Sequence, residues 1–155
     1  MIYNEQWDTR NKRHFPTLYQ KAHFVKEQLR AIKKTYKKIN RVYIEQSLHS
    51  FRSGFSSAQT LSTLSRFNGI VSWMCWEIYK TEPQMIAATS ARKQAGIKIQ
   101  RGDNAKEKTL QFVLDNEPSF VLEYTKAGNP KPGTMDRSDS YVIAKAGFLL
   151  CSQIS

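Results

Sequence analysis

The chain has 155 residues, 40% hydrophobic and 24% charged, the balance of an ordinary globular protein that folds as one domain over 1–155. No apolar run approaches the ~18–20 residues of a membrane span, and no charged-then-apolar leader opens the chain, so the expectation is an intracellular protein without a membrane partner. The formal net charge is +11, which selects for a polyanionic partner, nucleic acid being the simplest.

The charge is concentrated at one end. Residues 1–41 hold eleven Lys or Arg and three acids, Glu5, Asp8 and Glu27, a surplus of eight. Met1 to Phe15 is polar and aromatic without a clear period and reads as a short strand or an extended lead-in. From Pro16 onward Leu18, Ala22, Val25, Leu29, Ile32 and Tyr36 recur at three- and four-residue steps, which predicts an amphipathic helix of about five turns. Lys33, Lys34, Lys37 and Lys38 lie on its outward side, and Glu27 alone dilutes the basic run. A solubilising face would mix signs, so these lysines are candidate phosphate contacts.

Val42-Tyr43-Ile44 is apolar on both sides and predicts a short buried parallel strand that ends in Glu45-Gln46. A carboxylate at that end stands where open α/β sheets place their sites. Leu48 to Ser57 is a Ser/Gly loop carrying Leu48, Phe51 and Arg52, of the kind that touches ligands. Leu61, Leu64, Phe67, Val71, Met74, Cys75 and Ile78 then keep helical spacing, which predicts a long, mostly buried helix with Trp73 and Trp76 in the core. Met85 to Ala88 reads as a second strand, and Thr89 to Gly96 as a short helix or turn containing Arg92 and Lys93.

A further helix follows Gly102-Asp103-Asn104, with Leu110, Val113 and Leu114 inward. Lys106 and Lys108 fall in its first turn, where the helix dipole disfavours cations, so an anion is expected nearby. Phe120 to Tyr124 is a strand or a packed loop, and Ala127 to Gly133 is a loop. The last helix carries Val142, Ile143, Ala146 and Leu149 or Leu150 on one face and opens with Asp136 and Asp139, three residues apart on one side. Acids at a helix N-terminus have a plain explanation in the dipole and the unpaired N–H groups. The alternative is a divalent cation held between them, with Glu45 as a third carboxylate. Cys75 and Cys151 lack CxxC or His partners, which argues against zinc or disulfides, and His14, His23 and His49 are scattered.

Tyr43-Ile44-Glu45-Gln46, the lysines Lys93 and Lys106 or Lys108, and Asp136-Arg137-Ser138-Asp139-Ser140-Tyr141-Val142-Ile143-Ala144 occur in an order and spacing that resemble the RuvC-like Holliday junction resolvases, phage members included. The resemblance runs from about Lys21 to Ala146. It implies an α/β fold of the ribonuclease-H-like class, a mixed sheet flanked by helices. It also implies a homodimeric endonuclease, dependent on Mg²⁺ or Mn²⁺, that nicks a four-way DNA junction in the cytoplasm of a bacterial or phage-infected cell or in a DNA-containing organelle. By that match Glu45, Asp136 and Asp139 are the metal ligands and Lys93 and Lys106 serve the scissile phosphate. Leu48 or Phe51 matches an apolar wedge at the junction centre, and Arg52, Arg92 and Lys108 join the DNA contacts.

The family's first strand carries an aspartate well upstream of the glutamate. Here the upstream aspartate is Asp8, in Glu5-Gln6-Trp7-Asp8-Thr9-Arg10 with no strand pattern around it, so that strand is expected to be missing or truncated. Two-metal phosphodiester hydrolysis draws on carboxylates from separate elements that hold ions ~3.5–4 Å apart. The alternative function is a branched-DNA-binding protein that keeps the fold without cutting.

Overall fold

The computed structural model describes residues 4–46 and 58–152. Among these residues the chain is mixed α/β: five helices and one two-stranded parallel sheet. It divides into two compact units, one spanning 7–85 and the other 86–155 with the first six residues. Leu48, Phe51 and Arg52, the loop candidates of the sequence, lie outside the described residues.

The unit of residues 7–85 is built on a helix pair. Helix α1 (Leu18–Tyr36) starts at a capping box in which the Thr17 hydroxyl accepts from the Gln20 N–H and the Gln20 side chain accepts from the Thr17 N–H at 3.0 Å. Two otherwise unpaired donors are thereby satisfied, and Pro16 precedes the cap rather than opening the first turn. Ala22, Val25 and Leu29 form the buried face of α1 and meet Met74, Cys75 and Ile78 of α2 (Ala58–Tyr79). The Tyr79 hydroxyl donates to the Leu29 carbonyl at 2.9 Å, tying the end of α2 to α1.

Trp73 and Trp76, expected in the core, are 54% and 51% exposed. They stand three residues apart on the side of α2 turned away from the Met74, Cys75 and Ile78 stripe. Their ring faces carry cations instead, Lys26 at 5.4 Å from one centroid and Lys80 at 5.5 Å from the other. Leu64 is likewise exposed. A helix packed on one side needs only one apolar stripe, and α2 has more apolar residues than that stripe can hold.

Strands β1 (Tyr43–Glu45) and β2 (Gln84–Ile86) pair across the α2 crossover, the Gln84 N–H donating to the Val42 carbonyl at 2.9 Å. β1 lies within one residue of the predicted run, whereas β2 begins one residue before its predicted run and stops two short of its end, at Ile86, because Ala88 already belongs to the next helix. Val42 and Ile44 are half-buried against the α1–α2 core.

The other unit is a three-helix arrangement. Helices α3 (Ala88–Gln94) and α4 (Ala105–Asn116) both pack on α5 (Thr134–Ser152). Small residues make the contact close: Ser138, Ala146 and Gly147 of α5 are buried with Val142 and Ile143, opposite Thr109, Leu110 and Val113 of α4. Gly96 ends α3 at φ +85°, a left-handed conformation that sends the chain back so that the Ile97 N–H reaches the Arg92 carbonyl at 2.9 Å. Phe120 is buried in a loop, and Tyr124 of that segment forms an isolated bridge with Pro130.

Candidate functional site

Asn104 fixes the start of α4 by accepting from the N–H groups of Lys106 and Glu107 at 3.1 and 3.4 Å. That cap sets Lys106 on the first turn, facing the start of α5. Its ammonium lies 3.3 Å from Asp136 Oδ1 and 4.0 Å from Asp139 Oδ2, between the two carboxylates. Helix α3 contributes Arg92 from the other side, Nη2 at 3.2 Å from Asp139 Oδ1. Arg92 Nε donates to Thr109 Oγ1 at 3.0 Å, and that hydroxyl donates in turn to the Ala105 carbonyl at 2.7 Å.

Three helices thus converge on one cluster of Arg92, Lys106, Asp136 and Asp139, all four of them residues singled out in the sequence. Their environments differ. The Arg92 and Asp139 side chains are 13% and 12% exposed, a nearly dry pair, whereas Asp136 is 76% exposed and Lys106 half-exposed. Like charge three residues apart on α5 is therefore offset by two of the chain's own cations, and the anion expected near Lys106 is this aspartate pair. Lys108 turns elsewhere and pairs with Asp103 at 3.7 Å.

Lys93 points into the neighbouring cleft, about 590 Å³, between α3, residues 96–99 and the start of α4. Its wall carries Arg92, Lys93 and Lys98 with no acid, alongside Ile97, Ile99 and Thr89. Thr109 and Lys98 were not singled out by the sequence. A threonine that orients an arginine has no local signal, while Lys98 stands in Lys98-Ile99-Gln100-Arg101, a basic run without an acid that could have marked it.

No family model, curated protein or solved structure matches the chain.

Glu45 ends β1 in the other unit, exposed, with its backbone carbonyl accepting from the Asn68 side chain at 2.9 Å. Among the described residues no three His, Cys, Asp or Glu side chains group so as to hold a metal ion. Asp136 and Asp139 are thus the two carboxylates that share the α5 cluster. They are hard oxygen ligands suited to Mg²⁺ or Mn²⁺, and they already converge on one cationic centre, the Lys106 ammonium.

On α1, Lys26 pairs with Glu77 at 2.7 Å and Arg30 with Glu27 at 2.8 Å. Lys33 donates to the Ile78 carbonyl. Lys34, Lys37 and Lys38 have no acidic partner among the described residues, and Lys33, Lys37 and Lys38 line a second cleft of about 330 Å³ with Asn40 and Thr81. Asp8, the upstream acid, is engaged by Arg10 through a 2.7 Å ion pair. The hydrogen bonds from Arg10 hold its carboxyl down at about 2. No helix among the described residues is long and apolar enough to cross a membrane.

Proposed function

We propose that the protein is a metal-dependent endonuclease of the ribonuclease-H-like, RuvC-like kind that acts on four-way or otherwise branched DNA. The observation that supports this reading is the convergence of Arg92, Lys106, Asp136 and Asp139 from three helices, added to the order of these motifs along the chain. Asp136 and Asp139 would hold the divalent ion; the Glu45 that the resemblance adds to them ends β1 in the unit of residues 7–85. The bound ion supplies charge neutralisation at the scissile phosphate and an activated water.

The chain's own residues do the rest. Arg92, locked by Thr109 and Asp139, keeps the Asp139 carboxylate in one orientation. Lys106, half-exposed and lying against both carboxylates, would be free to offer its ammonium to a phosphate oxygen if those aspartates held an ion. Lys93 and the α1 lysines hold the flanking backbone, where contacts position the strand without reading its sequence. A four-way junction presents two equivalent strands, so the reading includes a homodimer.

The second reading is a branched-DNA-binding protein that does not cut, and one observation favours it: the α5 aspartates already have cationic partners within the chain. Calorimetric Mn²⁺ titration separates the two. The nuclease reading expects saturable binding that Asp136→Asn weakens by about tenfold or more, a loss of at least ~1.4 kcal/mol. Equal Mn²⁺ binding by both proteins, or none by either, favours the non-cutting binder.

A further inference from the structure

The cleft beside the carboxylates has a composition that an ion site does not need. Its lining carries three cations, Arg92, Lys93 and Lys98, with the Thr89 hydroxyl, and no carboxylate among the described residues. The rest is apolar, formed by Ile97, Ile99 and the small residues Gly96 and Ala105. A site for phosphate alone gains nothing from aliphatic walls, and a purely apolar ligand would leave three cations facing it. Together they fit a ligand with an anionic end and a flat, weakly polar body. At about 590 Å³ the volume lies within the roughly 300–1,000 Å³ of small-molecule pockets.

We propose that this cleft is a nucleotide pocket that receives one nucleotide of the bound DNA strand, its phosphate on Arg92, Lys93 and Lys98 and its base against Ile97 and Ile99. Continuity points to a strand as the source: Arg92 lines the cleft and also contacts Asp139, so a backbone running past the α5 carboxylates passes the cleft. An unstacked base needs a surface to replace its neighbours, and the two isoleucines offer one. The strand as source rests on the nuclease reading; the pocket's chemistry does not.

The test is amide chemical-shift mapping on the full isotopically labelled chain, titrated separately with deoxyadenosine monophosphate, deoxyadenosine and inorganic phosphate, without metal. The expected result is saturable shifts at Gly96, Ile97 and Ile99, with the monophosphate binding at least about tenfold tighter than either half. Ile99, 40% exposed, tolerates Ile99→Ser without loss of fold, and that change should bring the monophosphate down to the affinity of phosphate alone while phosphate binding holds. Saturating four-way junction should displace the monophosphate. Equal binding of monophosphate and phosphate, or shifts that map away from the cleft, overturns the proposal. So does a monophosphate that stays bound beside saturating junction, which would make the ligand a free nucleotide. A chain that passes these tests but does not nick DNA loses the nuclease reading and keeps the pocket.

Discussion

At the scale of single residues, the two α5 aspartates look equivalent in sequence and are not equivalent in the fold. Asp139 is nearly dry and held by Arg92, whereas Asp136 is exposed. Removing the charge of Asp139 leaves Arg92 without its counter-ion, so Asp139→Asn should destabilise the fold by about 1–3 kcal/mol. Asp136→Asn should stay within about 0.5 kcal/mol of the parent. Urea titrations of both variants decide this, and equal midpoints would mean the Arg92 pair contributes nothing. Two groups in the α1–α2 core give a pH signature. Burial pushes the Cys75 thiol from 9.0 up to about 11, and burial with the nearby Cys75 charge pushes the Tyr79 phenol from 10.0 up to about 12. Both keep their protons in the fold at a pH where the unfolded chain loses them. Stability is therefore full below about pH 9 and falls as pH rises through the alkaline range. In Cys75→Ala the decline should begin about one pH unit later, where the phenols of Tyr79 and Tyr141, both raised by burial, begin to differ from the unfolded chain; an identical alkaline decline in both proteins would exclude Cys75 as its cause.

At the scale of elements, periodicity carried far where one face of a helix is buried. Ala22, Val25 and Leu29 recur at the steps that α1 then buries, and Gly96 marks the end of α3. It failed for α2, because Trp73 and Trp76 satisfy the same apolar pattern from the opposite face and only the position of α1 decides which stripe is covered. The α5 aspartates and Lys106 were legible as a charge conflict at two helix starts. That they answer each other across 30 residues, with Arg92 completing the set, depends on packing that no local pattern encodes. The basic face of α1 divides the same way: Lys26 and Arg30 have acid partners, and Lys34, Lys37 and Lys38 have none among the described residues. If those three contact phosphates, replacing all three by alanine should reduce the slope of log affinity against log salt by about 2 to 3, at ~0.9 per contact. Binding curves on one junction at several salt concentrations measure it, and an unchanged slope would place the DNA elsewhere.

At the scale of the whole molecule, a net charge of +11 coexists with a small acidic centre on α5. On the proposed nuclease reading the positive surface would gather the DNA, and the α5 aspartates, balanced in this structure by Arg92 and Lys106, would be the place for a divalent ion. The most direct test is Mg²⁺-dependent nicking of an end-labelled four-way junction by the parent chain and by Asp136→Asn, with a linear duplex of the same sequence as control. The account predicts cleavage of the junction in preference to the duplex, abolished by chelation and lowered by about a hundredfold or more in Asp136→Asn, with junction affinity retained. Tight junction binding without any Mg²⁺-dependent nick, or cleavage that survives Asp136→Asn unchanged, would contradict it.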